Sequence, residues 1–335
     1  MELRYIVKSD EKFDNLKELL KLKFQISDRF LIKLKKNDRL FINGKTASVY
    51  DVPKANDKIN INIDFDEDES TFPAAKMDLK IVYENDCYLV VDKPAGIPVH
   101  PSLNHYEDSL ANGIKYYFNS IGLKRKIRPV NRLDKNTSGL VVFTKNEYIQ
   151  EYLIREMKSK EFIKEYIAIC NGIFDDRIGT INAPIARKQN SIIERCIDLN
   201  GARAITHYEV ISEHTSNAET YSIAKCKLET GRTHQIRVHM AYLGHPLLGD
   251  TLYGKPSKLI DRQALHCSSL EFIHPIIHEK VCYISGLPED MAILENKKRK
   301  FRTILGTPSK KVLKKSRTFL EGVPKMSEIN MKNGD

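Results

Sequence analysis

No apolar run in this chain approaches the roughly 20 residues a helix needs to cross a bilayer; the longest are stretches such as Leu140-Val141-Val142-Phe143. The amino terminus lacks the basic-then-apolar pattern of a secretory leader, so a cytoplasmic protein with no membrane role is expected. The six cysteines, at 87, 170, 196, 226, 267 and 282, include no Cys-x-x-Cys. That argues against zinc ribbons and redox pairs, and for free buried thiols in a reducing cytosol. Ten histidines invite a metal reading, but there is no His-Glu-x-x-His and no cysteine pair at zinc-finger distance from a histidine pair. His234 and His239 fall off one helical face and read as ordinary hydrogen-bonded histidines. Without a Gly-x-Gly-x-x-Gly or a Walker loop, neither a metal nor a cofactor is expected.

What the chain does have is positive charge. Lys and Arg number 54 against 44 Asp and Glu, a net +10, which favours a polyanionic partner: RNA, DNA or an anionic membrane. At 41% hydrophobic and 29% charged residues the composition is that of a folded soluble protein. Its length allows one large domain plus a small module.

The small module comes first. Residues 14–24 carry Leu16, Leu19, Leu20 and Leu22 at roughly helical spacing among lysines. Ser27 is a good N-cap for a second helix over 28–36, with Phe30, Leu31 and Leu34 on one side and Arg29, Lys33, Lys35 and Lys36 around the rest. Residues 40–45 read as a strand entering an Asn43-Gly44 turn followed by Lys45, and 58–63 alternate as a half-buried strand. Two helices and a basic hairpin in this order, over residues 12–64, resemble the S4 RNA-binding domain. The resemblance implies phosphate contacts from Arg29, Lys33, Lys36 and Lys45. The acidic run 64–70 then reads as a linker.

Beyond it, strand-like runs recur at 79–83, 87–91, 140–144, 166–170 and 224–228, with helical stretches near 110–118 and 149–158. An α+β fold with a mixed, mostly antiparallel sheet is expected. The domain boundaries are 1–70 for the S4-like module and linker, 71–295 for the large domain, and 296–335 for a flexible basic tail containing Lys297-Lys298-Arg299-Lys300.

The stretch most informative about chemistry is Asn131-Arg132-Leu133-Asp134-Lys135-Asn136-Thr137-Ser138-Gly139-Leu140. It puts a carboxylate between cations immediately before a buried strand, where it is held ionised and available as nucleophile or base. Further on, Gly231 permits a tight turn and Thr233 can cap a helix carrying Ile236, Met240 and Leu243. Gly244 suits that helix's left-handed end. Arg232 and Arg237 flank this corner, placed either to grip a carboxylate through a planar fork or to contact phosphate.

R-L-D-x-x-T-S-G-L, complete in this chain, is the hallmark of the RluA-type pseudouridine synthases. The resemblance extends over roughly residues 79–294, through Lys93-Pro94-Ala95-Gly96 with Val99-His100-Pro101, Lys164-Glu165-Tyr166-Ile167-Ala168, Thr230-Gly231-Arg232-Thr233-His234-Gln235-Ile236-Arg237, and Arg262-Gln263-Ala264-Leu265-His266. It implies that Asp134 is the catalytic carboxylate and Arg237 its partner. Tyr166 would stack on the target base, Arg132 would fill the space left by a flipped uridine, and Arg232 would contact RNA. One departure is Asn131, where the family usually has histidine; it bears on loop packing and RNA contact and could mark substrate choice.

The function so implied is isomerisation of specific uridines in RNA by a cofactor-free monomer. Large-subunit ribosomal RNA is the expected target, with transfer RNA as the other candidate. The rival reading is an RNA-binding or ribosome-assembly factor that has lost the chemistry. Whether the aspartate attacks C1′, adds to C6 or acts as a base to give a glycal is open at this level.

Overall fold

The structure, a computed structural model, describes residues 1–67, 71–215 and 219–296, and residues 1–294 form one compact unit. The expected basic tail beyond Asn296 and residues 68–70 of the expected linker lie outside the described residues. In chain order the elements begin with β1 (Glu2–Ile6), α1 (Leu16–Phe24), α2 (Asp28–Lys36), β2 (Leu40–Ile42), β3 (Lys45–Thr46) and β4 (Lys58–Asn62). Next come β5 (Ile81–Glu84), β6 (Tyr88–Lys93), α3 (Leu110–Ser120), β7 (Arg128–Pro129), β8 (Ser138–Thr144), α4 (Glu147–Ser159) and β9 (Ile163–Asn171). The remainder are β10 (Ile178–Asn182), β11 (Ile185–Arg187), β12 (Arg195–Ile197), β13 (Ile205–Thr215), β14 (Thr220–Leu228), α5 (Gln235–Tyr242), β15 (Leu265–Ile273), β16 (Lys280–Ile284) and α6 (Glu289–Asn296). No helix among the described residues is long and apolar enough to cross a membrane.

The amino-terminal elements follow the apolar pattern closely. Ser27 caps α2, its Oγ accepting from the Phe30 N–H at 3.2 Å, and Asn15 caps α1 in the same way from Glu18. Asn43 and Gly44 both have positive φ, 52° and 77°, as a two-residue hairpin turn between β2 and β3 requires. The strands order as β1-β4-β2-β3, all antiparallel, and Leu16, Leu19, Leu20, Leu34, Ile59 and Ile61 are buried.

The acidic stretch is not a solvated linker where it is described. Asp64 and Asp66 pair with the buried Arg125, and Glu67 takes Arg128 in a fork at 2.5 and 2.7 Å. On α2, Lys33 donates to Glu147, Arg29 lies 3.1 Å from the same carboxylate, and Ser27 Oγ donates to Glu151 at 2.7 Å. Buried arginines need carboxylates, and this run supplies them, so charge that reads as solvated in sequence is structural in space.

The large sheet, ten strands among the described residues, runs β10-β13-β14-β9-β15-β8-β6-β5, with β16 also on β15 and β7 on β8. Its pairings are antiparallel except β8 with β15, which run parallel through His266↔Ser138 and Cys267↔Gly139. β6 and β8 are buried along their whole lengths, which accounts for the unbroken apolar run 140–143. Four cysteines are buried, but Cys282 on β16 is exposed and Cys196 on the small β11–β12 hairpin is half-buried, so the expectation of uniformly buried thiols fails at these two.

Candidate active site

The parallel junction of β8 and β15 fixes the site. The loop carrying Asp134 enters β8 beside the start of β15, and β9, on the other side of β15, puts Tyr166 opposite Cys267. Gly139 makes the junction possible: at φ +112° it lies so close to β15 that a Cβ would sit 2.3 Å from the Cys267 carbonyl oxygen. Only glycine fits that conformation and that approach.

The Asp134 loop is fastened at several points. The buried Lys93 ammonium donates to the carbonyls of Pro94, Ile97 and Lys135 at 2.8, 2.8 and 2.9 Å. It thereby joins the Lys93–Gly96 turn to the residue following Asp134. Burial pushes its amine down to about 7 against the pull of Asp134. Thr137 N–H closes a turn onto the Asp134 carbonyl at 3.0 Å, and Arg262, held by a fork to Asp290, reaches the Asn136 carbonyl at 3.1 Å.

Asn131 also turns inward. Its amide donates to the Leu140 carbonyl at 3.0 Å and accepts from Val142 N–H at 2.9 Å, acting as one more rung beside β8. At 5% exposure it is a packing residue, and the suggestion that it marks substrate choice finds no support in this position.

The strand-to-helix corner after β14 brings the arginines. Arg237 on α5 places Nε and Nη2 on Asp250 at 2.7 and 2.9 Å and Nη1 3.2 Å from Asp134 Oδ2. Asp250 is 1% exposed, Asp134 about a quarter exposed. One carboxylate is buried scaffold and the other faces the pocket. That pocket is lined by Arg132, Asp134, Tyr166, Arg232, His234 and Arg237, with apolar Leu228 and Leu265. Burial foremost, with the Cys267 thiol and Asp134 adding, holds the Tyr166 hydroxyl well above its ordinary range, so it is a neutral phenol.

Four predicted site residues thus meet in one pocket with Arg232, whose Nε also donates to the Arg203 carbonyl at 3.0 Å. The S4-like residues divide. Arg29 and Lys33 are engaged with Glu147, while Lys36 and Lys45 are exposed.

The corner differs from expectation in detail. The helix is capped by His234, at φ 59°, and not by Thr233. The turn is closed by Gln235, whose Oε1 accepts from Arg232 N–H and Thr230 Oγ at 3.0 and 2.8 Å. The glutamine thus ties the turn that leads into the helix, while the helix itself has no side-chain cap. Gly231 needs no left-handed φ; a Cβ there would lie 3.1 Å from Lys164 Nζ.

Three residues were missed by sequence reasoning. Lys93 stands in a quoted motif, but no local spacing says that Asp250 grips Arg237 and Lys93 ties the loop. His234 was read with His239 as ordinary. That fits His239, which is buried between Thr206 and the Ala183 carbonyl. His234 instead lines the pocket with Nε2 3.8 Å from Asp134.

A mixed sheet holds an arginine-bound carboxylate beside a buried tyrosine in a pocket lined by arginines, and comparison with known proteins names the class. Residues 87–242 match the family model described as RNA pseudouridylate synthase. The chain is 39% identical over 270 residues to the uncharacterized RNA pseudouridine synthase YjbO of Bacillus subtilis, covering 80% of this chain and 94% of that one. It is 36% identical over 244 residues to the ribosomal large subunit pseudouridine synthase D of Haemophilus influenzae, covering 69% and 74%. Among solved structures, human RNA pseudouridylate synthase domain containing 1 aligns with a TM-score of 0.54 at 25% identity, over 71% of this chain and 99% of that one. The chain belongs to the RNA pseudouridine synthase family, in agreement with its RluA-type motifs. It is an RNA-modifying isomerase.

Proposed function

We propose that this enzyme converts specific uridines of large-subunit ribosomal RNA to pseudouridine, with Asp134 as catalytic carboxylate. The observation that carries the site assignment is the Arg237 contact at 3.2 Å to a carboxylate facing the pocket. A guanidinium already anchored on Asp250 cannot swing away, so it fixes Asp134 in the pocket. Support for the ribosomal target comes from relatives named as large-subunit synthases at 32–39% identity.

A stacked uridine hides its glycosidic carbon, so the nucleotide must leave the helix. Tyr166 offers the apolar face on which the extruded base rests, and the exposed Arg132 occupies the gap behind it. Asp134 promotes cleavage of N1–C1′; the uracil turns, C5 bonds to C1′, the C5 proton leaves and N1 gains one. Nothing is oxidised and no atoms are added, so no cofactor is called for. Lys36 and Lys45 supply phosphate contacts, which position the RNA and weaken with salt.

Mapping pseudouridine in ribosomal RNA from cells with the wild-type gene, without it and with Asp134→Asn tests this. A set of large-subunit positions modified only with the wild type is expected. Unchanged ribosomal RNA in all three would refute the assignment of target, and full modification by Asp134→Asn would refute the role of the carboxylate.

A further inference from the structure

His234 has a feature that its motif does not explain. It sits at φ 59°, in the left-handed region, yet its side chain is 11% exposed and lines the pocket. Its Nδ1 is 2.8 Å from the Tyr253 hydroxyl. That hydroxyl already accepts from the Arg195 backbone N–H at 2.8 Å, which leaves its own proton to donate, and His234 Nδ1 is its other recorded hydrogen-bond partner among the described residues. A nitrogen that accepts cannot carry the proton of a neutral imidazole. Accepting at Nδ1 would put the proton on Nε2, the nitrogen 3.8 Å from Asp134 Oδ2.

We propose that Tyr253 locks His234 in the Nε2–H tautomer so that His234 aims a neutral donor at Asp134 Oδ2, the same oxygen that Arg237 Nη1 approaches at 3.2 Å. His234 is thus a positioning residue for the carboxylate, and the inference rests on the reading of Asp134 as the catalytic group. Neutrality fits the surroundings: burial pushes the imidazole below its ordinary range, with Asp134 pulling the other way. An imidazolium there would compete with Arg237 for the carboxylate. A neutral N–H restrains its direction without adding a second full charge. The arrangement also ties the β11–β12 hairpin to the site, since Arg195 begins β12.

Two substitutions separate position from chemistry. The glutamine amide nitrogen lies where Nε2 lies, whereas that of asparagine lies near Nδ1. Asparagine tolerates a left-handed backbone better than glutamine, so stability favours His234→Asn and the proposed role favours His234→Gln. Turnover is read as tritium released from uridine labelled at C5 in a large-subunit ribosomal RNA transcript, using the full chain. His234→Asn should lose on the order of 10- to 100-fold in kcat with KM little changed, the scale of a misplaced reacting group, while His234→Gln retains most of the rate.

Tyr253→Phe keeps the ring that lies under the Arg237 guanidinium at 5.0 Å and removes only the hydroxyl, and should lower kcat in the same direction. Nitrogen NMR of the wild-type ring should show Nε2 protonated and Nδ1 bare, with the pattern altered in Tyr253→Phe. A protonated Nδ1 in the wild type, or His234→Asn turning over as well as His234→Gln, overturns the inference while leaving the wild type active. A wild type that releases no tritium from this RNA counts against the functional reading itself.

Discussion

Arg237 is shared unequally between two carboxylates: it is locked by a two-bond fork onto Asp250, at 2.7 and 2.9 Å, and reaches Asp134 with the one remaining nitrogen at 3.2 Å. The asymmetry separates stability from activity. Asp250 is buried and also accepts from the backbone N–H groups of Leu252 and Tyr253 at 3.1 and 3.3 Å. Asp250→Ala strands a buried guanidinium and should cost about 3–5 kcal/mol of unfolding free energy, together with most of the turnover. Asp134→Asn removes a single contact at a part-exposed position and should cost under about 1 kcal/mol while abolishing turnover. Urea unfolding midpoints and tritium release on both variants check the contrast; an Asp250→Ala protein as stable as wild type would contradict it.

Lys93 gives the fold a pH dependence whose sign is opposite to that of a surface lysine in an ion pair. Its folded pKa is pushed down to about 7 by burial from an ordinary 10.5. Between those values the unfolded chain binds the extra proton, so the stability of the folded state rises with pH, and below about 7 the group adds no slope. The slope is bounded by about 1.4 kcal/mol per pH unit. Lys93→Met abolishes this contribution and leaves three carbonyls without their donor. The wild type should be the more stable throughout, and the gap in urea midpoint should widen from pH 7 to pH 9. A gap that stays constant over that range would show that the three carbonyls hold the ammonium charged.

How far the sequence revealed this arrangement varied with the range of the signal. α2 begins after Ser27 and the hairpin turns at Asn43-Gly44 because a cap and a left-handed pair act over a few residues. The apolar run 140–143 and the alternation in β4 disclose burial on two faces and one face respectively. β1 escaped notice: its pairing with β4 spans some sixty positions, and Glu2–Ile6 alone carries too little pattern. At the site, Asp134, Tyr166, Arg237 and Arg132 were found from motifs and meet in one pocket. What could not be seen was who holds whom. Asp250 grips Arg237 from across a helix and a turn, and Glu147 is matched with Lys33 from more than a hundred residues away.

That last pairing predicts a division among the basic residues of α2. Glu147 is 6% exposed and faces Lys33 and Arg29, with Arg128 at 3.9 Å. Glu147→Gln should therefore weaken the seating of the amino-terminal elements by about 1–3 kcal/mol, seen as faster hydrogen exchange in α1 and α2. Lys36 and Lys45, exposed on the same elements, should behave differently. Alanine at either should leave stability unchanged and reduce the salt dependence of RNA binding by about one counterion each. If Lys36→Ala lowers stability and leaves binding untouched, the exposed face is not where RNA lies.

Gly139 offers the sharpest test of how the sheet positions the carboxylate. A methyl group at this position would meet three backbone atoms of Cys267, at 2.3, 2.6 and 2.8 Å, on a backbone already at φ +112°. Neither obstacle can be relieved by rotating a side chain, so β8 must move away from β15 at the only parallel pairing among the described strands. Left-handed strain of about 1–3 kcal/mol adds to overpacking of about 1–3 kcal/mol, and Gly139→Ala should lose roughly 2–6 kcal/mol in all. Because Asp134 lies five residues upstream on the loop that this strand anchors, any protein that does fold should show turnover reduced by on the order of 100-fold. The loss should fall on kcat, since the basic surface that collects RNA is untouched. A Gly139→Ala protein with wild-type kcat and unfolding midpoint would mean that the β8–β15 junction does not set the position of the carboxylate.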